Sequence, residues 1–376
     1  MNKKLDQQSA DNIRALAVAM VEKANSGHPG GPMGGADFMH ILYSEFLNYD
    51  PSDMTSPFRD RFFMDAGHLS TLMYAQYYLL GNYAKNDLAN FRQWGSMTPG
   101  HPEVDVTRGI ENTSGPLGQG HTMGVGAAIA AKFLQARFGD WMNHKVYGFI
   151  SDGGVQEEIS QGAGRIAGHL GLNNFIMFYD SNDIQLSTST DEVTSEDTAM
   201  KYEAWGWKVV TIDAHSHDEI RKALTNANNE TEKPTLIIGK TIIGKGCVAA
   251  DGEMFEGHCE LHGQPIGHTG ADYTKTLLNL GANPENPFDI FDDVQAFYKD
   301  IIKTKTAKAA KKKAEIKTWS EANKELSNKL DFFLSGNLPE LDFESIHHKP
   351  GLASRASSSG VLGYLAEHVE NMIVSS

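Results

Sequence analysis

Four short apolar runs, each separated from the next by a stretch of helical spacing, constrain this chain more than any other feature. They are VYGFI (146–150), NFIMFY (174–179), WKVVTI (207–212) and PTLIIGKTI (234–242). All are β-prone and of strand length, and turn-forming residues bound them. Between them the spacing predicts helices over 157–170, 195–204 and 217–228. A connection long enough to hold a helix joins parallel strands. The expectation is an α/β chain, doubly wound, with a mainly parallel sheet and helices on both faces. Region 11–140 reads as mostly helical, broken by Gly-rich loops at 27–35, 65–70, 98–102 and 115–126.

Composition narrows the function. The net charge of −15 argues against general binding to nucleic acid or to an anionic membrane, so an anionic substrate needs local positive groups. Cys247 and Cys259 are too few for a disulfide framework, which fits a reducing compartment. No apolar run reaches membrane-spanning length. The N-terminal stretch carries charges throughout and reads as an amphipathic helix, with Ile13, Leu16, Ala17, Met20 and Ala24 on one face, and not as a signal peptide. A cytoplasmic protein is expected. After about residue 290 the texture changes. KTKTAKAAKKKAEIKTWSEANKELSNKLDFF has helical spacing, and its lysines read as a solvated face. SGNLPELDFESIHHKPG has the turn signals of a linker. ASRASSSGVLGYLAEHVENMIVSS reads as a helix and the apolar MIVSS, the start of a domain that cannot bury its own core. The expected division is a domain over 1–320, a linker over 321–350 and an incomplete further domain over 351–376.

The chemistry begins at SDGGVQEEIS (151–160), where a strand hands over to a helix through glycines. That geometry places a phosphate against backbone N–H groups, yet Asp152 would repel one unless a cation stood between them. Taken alone, Asp152 reads as a helix N-cap. Asn182 changes the reading: it ends the next strand 30 residues on, the length of one βαβ unit. The two strands are then parallel and end at the same sheet edge, where α/β proteins bind ligands. One carboxylate and one amide oxygen suit Mg²⁺ or Ca²⁺, with positions left for phosphate oxygens. GQGHTMGVG does not serve as a dinucleotide loop, because it follows no clear strand and lacks the third glycine at the required offset.

Asp152-Gly153 through NDI resembles the thiamine-diphosphate fingerprint, and the chain as a whole resembles the transketolase family. The stretches that carry the resemblance are SGHPGGPMG (26–34), AGHLS (66–70), TPGHPE (98–103), TSGPLGQG (113–120), FYDSNDIQL, KTIIGKG and GHCELHGQPIG (257–267), in order along the chain. It covers the cofactor-diphosphate domain, the linker and the start of the pyrimidine domain. The resemblance implies thiamine diphosphate with Mg²⁺ or Ca²⁺ as cofactors. The metal ligands would be Asp152, Asn182 and the carbonyl of Ile184. Gly153 and Gly115 would let backbone approach the cofactor, and Leu117 would prop its two rings together. Among fifteen histidines, the resemblance singles out four. His68 and His258 would face the cofactor; His28, His101 and His258 would line the donor sugar. Glu157 would meet its counterpart across a dimer interface, and Arg355 would grip the substrate phosphate. His40, His215 and His217 receive no role. The implied activity is transfer of a two-carbon ketol unit from a ketose phosphate to an aldose phosphate, in the pentose phosphate pathway, by a homodimer or with a partner chain carrying the pyrimidine domain. No position matches the glutamate that activates the cofactor's aminopyrimidine, so the chain alone is expected to be inactive. The alternatives are the α subunit of a thiamine-dependent 2-oxo-acid dehydrogenase and a non-catalytic cofactor-binding subunit of a split enzyme.

Overall fold

The apolar runs pair into one five-stranded parallel sheet in the computed structural model, which describes residues 3–374. The strands are β1 (Arg61–Met64), β2 (Val146–Ser151), β3 (Phe175–Ser181), β4 (Lys208–Asp213) and β5 (Thr235–Lys240), in the spatial order β1-β2-β3-β5-β4. Four of them are the runs read from the sequence. β1 lies in the region read as mostly helical, because RFFM is too short to show a period. Three crossovers carry the expected helices, Glu158–His169, Thr198–Ala204 and His217–Asn228.

Both faces of the sheet are covered, as a parallel sheet requires. On one face Tyr147, Phe149, Ile176, Phe178 and Ile237 pack against the helices Lys3–Ala24, Gly30–Ile41, Ser70–Leu79 and His217–Asn228. On the other, Val146, Ile150, Phe175, Met177 and Ile238 meet the helices Gln119–Phe138 and Glu158–His169. Alternate residues of each strand therefore serve opposite layers.

The N-terminal helix departs from the one-faced pattern read for it. Every residue from Asn12 to Val21 is buried. Ile13, Leu16 and Met20 belong to the sheet-side core, whereas Ala15 and Val18 pack with Met33, Cys247, Leu261 and Leu277. Arg14 is buried with it, and its guanidinium is paired with Asp37. Asp37 also accepts from His215 Nδ1 and His217 Nε2, each at 2.9 Å. His215 Nε2 accepts the N–H of Ile242 at 3.0 Å, which fixes the proton on Nδ1. Burial works to raise Asp37, but Arg14 and the two imidazoles outweigh it and hold the carboxyl far below its usual range.

The described residues separate into two compact units, one ending at Lys311 and the other beginning at Lys312. The division falls inside the helix Asp292–Ala322. In the first unit this helix buries Val294, Tyr298, Ile301 and Lys305 and leaves Lys303, Lys308 and Lys311 in solvent. In the second, the helix Lys324–Leu334 occupies part of the stretch read as a linker, and Ser354–His368 is helical as expected. There Lys329 pairs with Glu370 at 2.8 Å, and the N–H of Asp342 donates to the Tyr364 hydroxyl at 2.7 Å. Met1, Asn2, Ser375 and Ser376, which begin the N-terminal helix reading and end the MIVSS reading, lie outside the described residues. Among the described residues no helix is long and apolar enough to cross a membrane.

Candidate active site

β2 and β3 pair with Ser151 opposite Asp180, so the residues that follow both strands leave the sheet at one level. Asp152 is nearly fully buried there. It is the first residue of a short helix, Asp152–Gln156, whose N-cap is Ser151. Its carboxylate makes no cap. Oδ1 accepts from the Tyr179 hydroxyl at 2.5 Å, and Oδ2 accepts from the N–H groups of Asn182 (3.2 Å) and Asp183 (3.1 Å). The structure thus brings together the two residues that the sequence placed 30 positions apart, through the Asn182 N–H, while Asn182 Oδ1 accepts the N–H of Ile184 at 3.1 Å. Asp183 sits at φ 61°, in the left-handed region, which folds the Asn182–Ile184 segment back on itself. Thr190 N–H closes this loop on the Asp183 carbonyl at 3.0 Å.

Asp180 stands beside this pair and was not singled out from sequence. It is fully buried, receives the Thr241 hydroxyl and receives the Asn182 amide at 3.3 Å. Burial pushes Asp152 up to about 6 and Asp180 up to about 7. Two buried carboxyl groups held this way disfavour negative charge until a cation reaches them. Among the described residues no three His, Cys, Asp or Glu side chains converge to hold a metal ion. An ion here would rely on Asp152 with amide and carbonyl oxygens, which is a donor set for a hard cation.

A cavity of about 200 Å³ opens from this edge and is lined by Asp152, Gly153, Asn182, Ile184, Leu117 and His68, among others. At Gly153 the approach is close: a methyl in its place would lie 2.9 Å from Leu117 Cδ1, which would have to step aside. Beside Gly115 the space is open, with nothing within 4 Å of such a methyl. Asp65 supports the Leu117 loop from below. Its carboxylate accepts the N–H groups of Gly118 (3.0 Å) and His121 (2.9 Å), clamping the start of the Gln119–Phe138 helix to the end of β1.

Imidazoles make the other wall. His28 and His68 have ring centroids 4.7 Å apart, and His262 lies 5.7 Å from the first and 5.5 Å from the second. Nδ1 of His28 and of His262 is buried with no hydrogen-bond partner. Burial first, then the neighbouring His262, Arg92 and His101, lowers His28 to about 4. His68 is pushed well below its usual value by burial, and His262 and His101 are lowered for the same first reason. These rings are neutral at pH 7, and a neutral imidazole both donates and accepts. His101 is exposed.

Three further expected site residues have these settings. His258 is half exposed and stacked on Phe255 with centroids 4.1 Å apart. It lines an adjoining hollow with Cys259, Glu260 and Leu186, the last of which also lines the main cavity. Glu157 is exposed, between the short helix and the next. Arg355 is exposed in the first turn of the Ser354–His368 helix, in the second unit.

Over residues 5–339 the sequence matches the family described as transketolase, thiamine diphosphate binding domain. The chain belongs to the transketolase family. A Staphylococcus epidermidis transketolase is 39% identical over 379 residues, spanning 97% of this chain and 55% of its own length. Transketolase from Leishmania mexicana superposes with a TM-score of 0.89 at 33% identity, over 96% of this chain and 54% of that one. A Pichia stipitis transketolase, in complex with sedoheptulose 7-phosphate, gives 0.86 at 33% identity over 97% and 54%. The chain spans about half the length of the curated relatives it matches.

Within this transketolase domain the structure places His262, which the sequence reading did not single out, at the imidazole cluster, and His258 at the neighbouring hollow. GHCELHGQPIG offers two histidines four residues apart, and glycine-bounded spacing cannot say which one turns inward. The 3-10 turn Cys259–Leu261 decides it: Leu261 is buried, and His262 follows it to the imidazole cluster while His258 stays outside.

Proposed function

We propose that this chain forms the thiamine-diphosphate part of a transketolase active site and takes part in moving a two-carbon ketol unit from a ketose phosphate to an aldose phosphate, as in the pentose phosphate pathway. The observation that carries the proposal is one cavity that joins a hard-cation oxygen set, the Gly153–Leu117 approach and a wall of neutral imidazoles. Asp152, the Asn182 side-chain oxygen and the Ile184 carbonyl would hold Mg²⁺ or Ca²⁺. Gly153 and the open space beside Gly115 leave room for the diphosphate and the rings, with Leu117 supporting them. When bound, thiamine diphosphate supplies the electron sink for cleaving a carbon–carbon bond beside a carbonyl. The chain's own residues bind and orient. His28 and His262 have no protein partner at Nδ1, and these neutral imidazoles would hydrogen-bond sugar hydroxyls and move their protons. Leu69 and Ile243, which also line the cavity, exclude water from it.

The proposed partners are sugar phosphates and either a second copy or a chain carrying the pyrimidine domain. Met123, Ile159, Ile166 and Leu170 are exposed along the helices Gln119–Phe138 and Glu158–His169, and apolar side chains left in solvent this way suit a protein partner. Arg355 would serve the substrate phosphate once such an assembly forms. The free cysteines Cys247 and Cys259 suit a reducing compartment such as the cytoplasm. Relatives named transketolase do not favour the 2-oxo-acid dehydrogenase reading.

A coupled assay with xylulose 5-phosphate, ribose 5-phosphate, Mg²⁺ and thiamine diphosphate tests the proposal, run on the chain alone and with a pyrimidine-domain chain added. Ketol transfer in either arm supports it. Cofactor binding with no transfer in both arms would leave a non-catalytic binding subunit, and decarboxylation of a 2-oxo acid in place of transfer would overturn the reading.

A further inference from the structure

Arg92 is one of three non-glycine residues with a left-handed backbone among the described residues, at φ 60°. A long side chain in that region is uncommon, and such positions gather at functional sites. The local fold explains how it is held. The Arg92 N–H donates to the Thr98 carbonyl at 3.0 Å, closing the loop that leads to His101. Nη1 donates to Ser26 Oγ at 2.8 Å, two residues before His28. The guanidinium rests on Gly100, where a methyl would lie 2.6 Å from Nε. Nε itself is buried without a hydrogen-bond partner.

Its charge is also unusual in its setting. The chain has a net charge of −15, yet among the described residues no carboxylate pairs with Arg92. The titratable groups around it are His28, His68, His101 and Tyr74. Glu103, the acid on the same loop, receives the Thr113 hydroxyl at 3.1 Å instead. A half-buried cation left without a counter-ion is costly unless it has other work.

We propose that Arg92 is the positioning residue of the imidazole cluster, tying the loop that bears His28 to the loop that bears His101. The proposal deepens the ketol-transfer reading and rests on it for the role of the two imidazoles. One side chain reaches both loops, through a hydrogen bond to one and a packed contact with the other. Its charge opposes protonation of the same rings, in the direction that burial already sets. Lysine could supply the charge but not the planar fork that spans Ser26 and Gly100.

The experiment follows histidine Cε1–H and backbone resonances by NMR in the 376-residue chain from pH 4 to 8, in Arg92→Gln, Arg92→Lys and Gly100→Ala. Arg92→Gln should raise the titration midpoints of both His28 and His101 and move the resonances of residues 26–30. Arg92→Lys should move those resonances while leaving the midpoints near the wild-type values. Gly100→Ala, which pushes the guanidinium off its seat, should move residues 26–30 although it alters neither loop's charge. Midpoints unchanged in Arg92→Gln, or residues 26–30 unmoved in all three variants, would overturn the proposal. If Arg92→Gln does not fold, the two charge-retaining variants still read the tie between the loops. The titration needs no sugar, so it can fail while ketol transfer is observed, and succeed where none is.

Discussion

At Asp152 a single side chain separates a helix cap from a cation ligand. Its oxygens receive the Tyr179 hydroxyl and two N–H groups, none of them from its own helix. Asp152→Ala should therefore abolish Mg²⁺-dependent binding of thiamine diphosphate. In the absence of metal it should cost only about 1–3 kcal/mol, the penalty of leaving the Tyr179 hydroxyl unpaired, offset in part by removing a buried carboxyl. Calorimetric titration and urea unfolding of the same preparation check both halves, and unchanged cofactor binding would refute the metal site. The histidines give a second residue-scale contrast. In a complete, active assembly His262→Ala should lower ketose turnover at least tenfold, while His258→Ala should stay near wild type, because the first ring lies in the cavity and the second lies on Phe255. Equal losses would mean that the half-exposed ring moves inward when substrate binds.

Contacts between elements are set at glycines that admit no side chain. Gly153→Ala places a methyl 2.9 Å from Leu117 Cδ1, a side-chain end that can step aside, so stability should change little while the displaced Leu117 lowers cofactor affinity. Adding Leu117→Ala should relieve the contact without recovering affinity, if Leu117 itself supports the cofactor; thermal melting and calorimetry of the single and double variants separate the two effects. Gly168 is tighter still. A methyl there would lie 1.8 Å from the carbonyl oxygen of Trp205, where the helix Glu158–His169 crosses the chain entering β4. Backbone cannot step aside as a side-chain end can, so Gly168→Ala should destabilise by about 1–3 kcal/mol or more in urea unfolding. Neither restriction is visible in sequence. The period of the segment 157–170 announces a helix, but which glycine faces another backbone depends on a partner 37 positions away (168 to 205).

Over the whole molecule, buried imidazoles set the response to acid. His121 is fully buried among Phe175, Tyr202 and Trp207, has no partner for either ring nitrogen, and is lowered to about 3 by burial. His28, His40, His68, His101 and His262 are lowered as well. A histidine of this kind takes up a proton in the unfolded chain below about pH 6.5 but not in the folded one. Its contribution is therefore complete above that pH and is lost as pH falls toward the folded value. Asp65 and Asp152, raised to about 6, Asp180, raised to about 7, and Asp60, also raised, pull the other way as they take up protons in the folded chain. The six lowered imidazoles outnumber these four carboxyls, so stability should fall from pH 7 to pH 5. His121→Phe should reduce that fall by up to one proton's worth, about 1.4 kcal/mol per pH unit. Urea unfolding at pH 5, 6 and 7 checks the slope, and identical slopes for both chains would place a hidden partner beside His121.

The sequence by itself determined the layered α/β sheet, because strand and helix periods are local and each apolar run contains its own evidence. It also determined the pairing of Asp152 with Asn182, since one βαβ unit can return a chain to its starting edge in only one sense. Tertiary structure alone decided the rest. β1 is four residues long and becomes a strand only because Val146–Phe149 offers it an edge. His262 rather than His258 enters the cavity because Leu261 is drawn into a core built from the N-terminal helix and the segment after residue 244. Arg92, Asp65 and Asp180 acquire their places from partners scattered along the chain, at Ser26, Gly118 and Thr241. A residue type records what chemistry is possible; which atoms share a low-dielectric space, and so which charges are raised, lowered or tied, is fixed only when distant segments pack.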